Sequence, residues 1–122
     1  MQWKLTDDRP IWMQLTEQLT ERIVSGLYPL GSRMPSVREL AAQAGVNPNT
    51  MQRALAQLEA DGLVVTNRTA GRTVTEDSQS VDRVRHSLAE DKMEFYVAGM
   101  ATLGYTETEA ANMLLHRRKG NQ

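Results

Sequence analysis

Apolar residues near the start of the chain recur every four positions, at Ile11, Leu15, Leu19 and Ile23. This spacing places them on one face of an α-helix, and an apolar face indicates packing against a core. Pro10 precedes the run, and proline suits a first helical turn because the N–H that it lacks would have no partner there. The pattern predicts a first helix that begins at Pro10 and ends at Ser25-Gly26.

Two shorter helices are predicted next, separated by a tight turn. Ser36 followed by Glu39 forms a capping box, which satisfies free N–H groups at the start of a helix. This second helix is expected to run to about Ala44, since Gly45 suits a left-handed C-terminal cap. The turn is only Gly45-Val46, and two helices joined in this way indicate a helix-turn-helix.

The third helix has two unlike faces. Asn47 suits its N-cap and Pro48 its first position, and the helix is expected to reach about Asp61. At 100° per residue, one side carries Met51, Ala54, Leu55 and Leu58. The other side carries Asn49, Gln52, Arg53 and Ala56. Such a slim polar face fits a DNA major groove, which is ~12 Å wide, so this is the predicted recognition helix.

A β-hairpin is predicted after the third helix. Residues 63–66 are rich in β-branched side chains, residues 67–72 have turn chemistry, and residues 73–75 form the second strand. The tip carries Arg68 and Arg72 around Gly71, which places a basic side chain to enter a minor groove or bind a phosphate. This hairpin is the predicted wing.

The remaining chain predicts two more helices. A long one is expected from Ser80 to Gly104, and a second capping box, Thr106 with Glu109, opens a shorter one. That helix ends in the basic run 117–119, either a helix-end charge cluster or a DNA contact. Two helices alone bury little surface, so their apolar residues are expected to form a homodimer interface. The predicted interface residues are Val84, Leu88, Phe95, Tyr96, Met100, Leu103, Met113 and Leu114.

The fold class that follows is mainly α (α+β). Residues 1–76 are expected to form the winged helix-turn-helix domain and residues 77–122 a helical dimerisation hairpin, which suits a chain of 122 residues. With no cysteine, the chain has neither disulfides nor thiolate metal sites. No apolar run is long enough to span a bilayer and the N-terminus does not resemble a signal peptide. A cytoplasmic protein without a membrane partner is expected.

The overall charge gives nucleic-acid binding no support. The formal net charge is -1, whereas a typical DNA-binding domain is basic. Because a phosphate experiences the local field, the positions of individual arginines have to provide the attraction. Gln52 and Arg53 are candidates for base contacts, with a merely solvated helix face as the alternative. Arg38 is a candidate for a phosphate contact, with an ion pair to a nearby carboxylate such as Glu39 as the alternative.

Several strings in the chain resemble the GntR family of bacterial transcription regulators. They cover residues 10–15, 31–41, 45–55 and 58–64, in the order that the family has them, together with Gly71 of the wing. The short two-helix tail, including residues 103–106, resembles the YtrA branch of that family, whose members lack a large effector-binding domain. The resemblance implies a winged helix-turn-helix that binds double-stranded operator DNA.

The resemblance also implies which residues touch DNA. The matching positions are Arg38, Asn49, Thr50, Gln52, Arg53, Arg68 and Gly71. Asn47, at the start of the third helix, is a further candidate through backbone N–H groups. Pro48 and Gln52 stand where many members carry a basic residue, so the operator sequence cannot be copied from them. Arg72 stands where a small hydroxyl residue is commoner and adds a charge to the wing.

The leading function hypothesis is a homodimeric transcriptional regulator, most simply a repressor of an inverted-repeat operator. In the YtrA branch the regulated genes are commonly a transport operon, and the gene of the regulator itself is a second candidate target. The alternative is a winged-helix module that binds proteins and has no operator specificity. An enzyme is not expected, because the sequence has no catalytic motif. No cofactor is expected, and a small-molecule effector stays open.

The remaining candidates have simpler explanations. His86 and His116 lie far apart without a metal-ligand pattern, so both are expected to be surface histidines and no metal site is predicted. Trp3 and Trp12 are candidates for a ligand pocket, but a tryptophan just after a helix start is more often part of a core or an interface.

Overall fold

The computed structural model describes residues 2–118 and is mainly helical with a two-stranded sheet, which confirms the predicted fold class. Lys119, part of the predicted basic run, lies outside the described residues. None of the helices within residues 2–118 combines the length and apolarity needed to cross a membrane. The elements are α1 (Ile11–Val24), α2 (Val37–Ala44), α3 (Pro48–Ala60), β1 (Val64–Asn67), β2 (Gly71–Val74), α4 (Ser78–Thr102) and α5 (Glu107–Leu115).

The predicted caps set the bounds of the short helices. The Ser36 hydroxyl accepts a hydrogen bond from the Glu39 N–H, and the Glu39 carboxylate accepts one from the Ser36 N–H, both at 3.1 Å. The same reciprocal pair opens α5 at Thr106 and Glu109. Gly45 ends α2 in the left-handed region with φ +70, as the sequence predicts. These local bonds explain why α2 and α5 begin where the sequence predicts them to begin.

Two predicted helix starts were wrong by one or two residues. Pro10 has an extended backbone with ψ 134 and acts as the N-cap of α1, so the helix begins at Ile11. α4 begins at Ser78 and not at Ser80, because the Asp77 carboxylate accepts hydrogen bonds from the N–H groups of Gln79 at 3.1 Å and Ser80 at 3.3 Å. An aspartate that caps from just outside a helix lengthens it at its N-terminus.

The core of the N-terminal part lies where α1 and α2 pack against α3. The predicted apolar face of α3 is buried, and none of its four residues is exposed at all. Leu15 and Leu19 of α1 are equally inaccessible. This packing fixes the rotation of α3 about its own axis, so its opposite face has to point outward.

The wing is an antiparallel hairpin in which Val64 pairs with Val74 and Asn67 with Gly71. A preceding segment, residues 32–34, runs along the free edge of β2. The Met34 N–H donates to the Arg72 carbonyl at 2.8 Å and the Val74 N–H donates to the Ser32 carbonyl at 2.8 Å. These bonds attach the wing to the chain that leads into α2, which holds the hairpin beside the helix-turn-helix.

The chain divides into two compact units within α4. The first unit extends through Arg85 and the second begins at His86. The first turns of α4 belong to the N-terminal unit, where Val81 is buried and an Arg85 N–H donates to the Val24 carbonyl at 3.4 Å. The predicted boundary at 76/77 lies just before α4, which begins at Ser78, and the first compact unit continues beyond it.

The carboxylates that cap α2 and α4, those of Glu39 and Asp77, make the stability of the protein depend on pH. Hydrogen bonds from Ser36 lower the pKa of Glu39, and those from Ser80 lower the pKa of Asp77. A lowered folded-state pKa gives stability that is complete above the unfolded pKa, about 4, and is lost as the pH falls through the folded value. We expect the melting temperature of the parent protein to decrease when the pH is lowered below about 4. Glu39→Gln keeps the acceptor oxygen but does not titrate, so its melting temperature should decrease less. Circular dichroism between pH 7 and 2.5 measures this, and parallel curves for the two proteins would contradict it.

Candidate nucleic-acid interface

The outward face of α3 is polar and accessible. Asn49, Gln52 and Arg53 are exposed and Thr50 is half-buried, so the structure brings the four candidates of this helix together on one surface. Ala56 and Ala60, further along, are also exposed. Small side chains keep this part of the helix slim, as the major groove requires.

The start of α3 is closed by its own cap. The Asn47 side-chain oxygen accepts a hydrogen bond from the Asn49 N–H at 2.7 Å, and Pro48 has no N–H to offer. The Asn47 side chain therefore has a structural role. The Thr50 N–H donates to the Asn47 carbonyl at 3.0 Å, so the N–H groups of Asn49 and Thr50 both have partners within the chain.

Arg53 does not extend freely into solvent. Its guanidinium carbon lies 4.1 Å from the centre of the Trp12 ring on α1, which is a cation–π contact. Trp12 is half-buried, in agreement with the expectation of a core or interface tryptophan. A similar contact joins Arg22 to Trp3, at 3.8 Å from the ring centre.

Arg38 is exposed on α2, and within residues 2–118 it forms no ion pair. The Glu39 carboxylate, the nearby partner that the sequence suggests for an ion pair, accepts the Ser36 N–H of the capping box at 3.1 Å. This leaves the Arg38 guanidinium available to an external acceptor.

The tip of the wing presents Arg68 to solvent. The Asn67 side-chain oxygen accepts hydrogen bonds from the Thr69 N–H at 3.1 Å and the Ala70 N–H at 3.4 Å, which folds the turn. Gly71 closes the hairpin at φ +72, a conformation that favours glycine. Arg68 lies in this turn and is exposed.

Arg72 points back toward α3 instead of outward. Its Nε donates to the Glu59 carboxylate at 3.0 Å, and 18% of its side chain is exposed. A hydrogen bond from Thr66, followed by that from Arg72, lowers the pKa of Glu59. The two wing arginines thus have different surroundings, and the Arg72 side chain ties the wing to α3.

Replacing Arg72 should therefore affect folding more than replacing Arg68. We expect Arg72→Ala to lower the free energy of unfolding by up to about 1 kcal/mol, the upper range for an accessible ion pair. Arg68→Ala, the matched removal of a wing charge, should stay within about 0.5 kcal/mol of the parent. Urea unfolding measures both, and equal losses would show that the Glu59 pair does not stabilise the wing.

An open cleft of about 700 Å³ lies between the start of α2 and the wing. It brings Gly71 and Arg72 next to the segment that enters α2. That segment contributes Arg33, an exposed arginine that the sequence analysis did not select. Arg33 pairs with Thr73 in an isolated β-bridge. It lies within the string 31–41 that resembles the family, and that string was a signal that could have indicated this position.

The C-terminal unit exposes an unusual number of apolar side chains. Phe95 is 82% exposed and Leu103 71% exposed, and Met113 and Leu114 are also exposed. Met93 belongs to the same exposed set, and so do Tyr105 and Leu115, which were not predicted as interface residues. These exposed apolar residues of α4, α5 and their connection are called the C-terminal apolar surface below.

The other predicted interface residues are less accessible. Val84 and Leu88 are half-buried, and so are Tyr96 and Met100, which the sequence predicted to be exposed. The Tyr96 hydroxyl donates to the Ala110 carbonyl at 2.8 Å, and Ala110 is fully buried. Tyr96 therefore joins α4 to α5, while Phe95 beside it points away into solvent.

The two histidines have surface partners. His86 lies 3.0 Å from the Glu90 carboxylate one turn along α4, and His116 contacts the Asn112 carbonyl at 2.8 Å. Both histidines are exposed. Within the described part of the chain, no three His, Cys, Asp or Glu side chains come together in a group that would hold a metal ion.

The family model described as bacterial regulatory proteins, gntR family, matches residues 13–74, the region that contains most of α1, the helix-turn-helix and the wing. The chain belongs to the GntR family. Its members and the relatives of this chain are transcriptional regulators and not enzymes, as the sequence analysis expects. The resemblance drawn from the sequence strings is thereby confirmed.

This GntR-family chain is similar to curated regulators of Bacillus subtilis (strain 168). It is 38% identical to the HTH-type transcriptional regulator YhcF over 101 residues, which cover 83% of this chain and 84% of the relative. It is 36% identical to the HTH-type transcriptional repressor YtrA over 84 residues, which cover 69% of this chain and 60% of YtrA. The likeness to YhcF extends over most of both proteins, including part of the C-terminal unit.

Solved structures agree with the family. A GntR family transcriptional regulator from Listeria monocytogenes, 32% identical, superposes with a TM-score of 0.85 and covers 93% of this chain and 100% of its own. The DNA-binding domain of AraR in complex with operator ORE1, 26% identical, has a TM-score of 0.53 and covers 62% of this chain and 94% of its own.

Proposed function

We propose that this GntR-family regulator binds double-stranded operator DNA as a homodimer and acts as a repressor. The observation that carries the proposal is the two-sided α3: one face is wholly buried, and the opposite face presents Asn49, Gln52 and Arg53 to solvent. A helix held in this way offers a rigid polar edge to the major groove.

The contacts with DNA divide into two kinds. Arg53 has the donor fork that matches guanine, and the Gln52 amide matches adenine, so these residues read bases. Arg38 and Arg68 are exposed single charges that bind phosphate or enter the minor groove. In this arrangement Arg72 supports the wing through Glu59 and contacts DNA only secondarily. The likeness to the operator-bound AraR domain supports a DNA ligand of this kind.

A second copy of the chain completes the binding unit. The C-terminal apolar surface would be buried between two copies, which removes its exposure to water. Two-fold symmetry then makes the operator an inverted repeat, with half-site centres about one helical turn, ~10 base pairs, apart. Because the net charge of one chain is -1, a single copy attracts DNA only weakly, and a dimer doubles the number of arginines that contact phosphate.

The regulated genes are proposed from relatives. The relative YtrA is a transcriptional repressor, which supports repression by this chain. Its target genes would be a transport operon, as the resemblance to the YtrA branch implies, and the gene of the regulator itself. A chromosomal operator places the protein in the cytoplasm.

Selection of bound duplexes from a random-sequence pool tests the proposal. We expect an inverted repeat, bound by two chains, and an affinity that falls steeply with salt because several phosphates are contacted. A parent protein that enriches no common sequence, with binding that hardly responds to salt, would reject operator recognition and favour a protein-binding module.

A further inference from the structure

We propose that Trp12 is a positioning residue for base recognition, which holds the Arg53 guanidinium in place before DNA arrives. The inference rests on the proposed function, in which Arg53 contacts a base. Its starting point is the distance of 4.1 Å between the Arg53 guanidinium carbon and the centre of the Trp12 ring.

The two residues belong to helices whose relative position is fixed by packing. Trp12 is in the first turn of α1 and Arg53 is in α3, and these helices pack directly against each other. Trp12 is half-buried, so its ring has fewer orientations than an exposed side chain has. The core of the N-terminal unit therefore fixes the position of the ring relative to the recognition helix.

The stacking leaves the recognition chemistry of Arg53 available. A guanidinium is planar, and its five N–H donors point outward in that plane. An aromatic ring over the face interacts with the π-surface and occupies none of these donors. Guanine O6 and N7 accept two bonds at the edge of the same plane. Arg53 can thus keep its contact with Trp12 while it binds a base.

Holding the side chain in advance lowers the entropic cost of binding. A free arginine side chain samples many rotamers and loses most of that freedom when it forms two directed bonds. A side chain that is already ordered loses less, which is the general benefit of preorganisation. An exposed cation–π contact of ordinary strength corresponds to about a two- to fivefold change in affinity.

The test is a double-mutant cycle on one duplex that the parent protein selects from a random pool. The variants are Trp12→Leu, Arg53→Ala and the double variant, with Trp12→Tyr as the conservative control that keeps an aromatic face. We expect Trp12→Leu to weaken binding about two- to fivefold, Trp12→Tyr to stay within about twofold of the parent, and Trp12→Leu to have no further effect once Arg53 is replaced.

Base-pair discrimination separates positioning from general stability. Across all single base-pair substitutions of the duplex, Trp12→Leu should relax preference at the pair that Arg53→Ala relaxes, and leave the salt dependence unchanged. An equal loss from Trp12→Leu with and without Arg53 would overturn the proposal, because Trp12 would then act independently. Parental affinity of Trp12→Leu, together with a loss of affinity in Arg53→Ala, would also overturn the proposal.

Two further results complete the test. Parental affinity of Arg53→Ala on every duplex would overturn the role of Arg53 in the proposed function, and the positioning role of Trp12 with it. If Trp12→Leu does not fold, the chemical shift of the Arg53 side-chain Nε–H in the free parent protein tests whether the Trp12 ring lies over the guanidinium. A ring above the guanidinium should shift this resonance upfield from that of Arg68, and equal positions for the two would overturn the proposal.

Discussion

Phe95→Glu is expected to convert the proposed dimer into monomers and to weaken operator binding about a hundredfold or more. Phe95 is 82% exposed in the single chain, so the substitution leaves the fold of one chain intact. In a dimer the new carboxylate would be buried in an apolar interface without a partner, which costs several kcal/mol. Two half-sites held by one dimer gain about 10²–10⁴ in affinity over separate binding, and monomers lose this gain.

Mass measurement in solution and titration of the selected duplex check this expectation. Gln79→Glu is the matched control, since it also adds one negative charge to α4, at an exposed position in its first turn where the helix dipole tolerates an acid. The control should remain dimeric and bind nearly as the parent does. A Phe95→Glu protein with twice the mass of one chain at micromolar concentration would show that another surface forms the dimer.

Arg53→Ala is expected to reduce discrimination at one base pair of each half-site by about 5- to 150-fold, the range that corresponds to 1–3 kcal/mol per base contact. The loss should concentrate on that base pair, because the guanidinium fork matches guanine and no other base. Arg68→Ala should instead weaken all duplexes similarly and reduce the salt slope by about one, as a phosphate contact does.

Arg83→Ala provides the control for charge alone. Arg83 is exposed on α4, donates to the Ser80 hydroxyl at 3.0 Å, and lies outside the predicted interface. It should change affinity little and discrimination not at all. If Arg53→Ala and Arg68→Ala produce the same uniform loss, Arg53 binds phosphate and the bases are read by other residues of α3.

Much of the candidate site could be predicted because it depends on local rules. The burial of Leu55 and the exposure of Arg53 follow from the helical period, which acts over a few residues. The position of Arg68 follows from turn chemistry around Gly71. The start of α4 was missed for an equally local reason, since Asp77 was not recognised as a cap.

The tertiary contacts of a side chain were less predictable from the sequence than its exposure. Arg68 and Arg72 have similar sequence contexts, yet only Arg72 meets a carboxylate, because the hairpin packs beside α3. Tyr96 and Phe95 are neighbours on α4, but only Tyr96 lies where its hydroxyl reaches the Ala110 carbonyl. These partners lie in segments that are distant in the sequence, and no local pattern predicts them.

Sequence patterns were sufficient to predict the order of the helices and the hairpin, the caps at Ser36 and Thr106, and the polar outward face of α3. These features are encoded in contacts between residues three or four positions apart. The contact of Trp12 with Arg53 and the ion pair of Arg72 with Glu59 became visible only in the folded chain. Each of these pairs joins elements whose relative position is set by burial of the shared core, and burial depends on the whole packed unit.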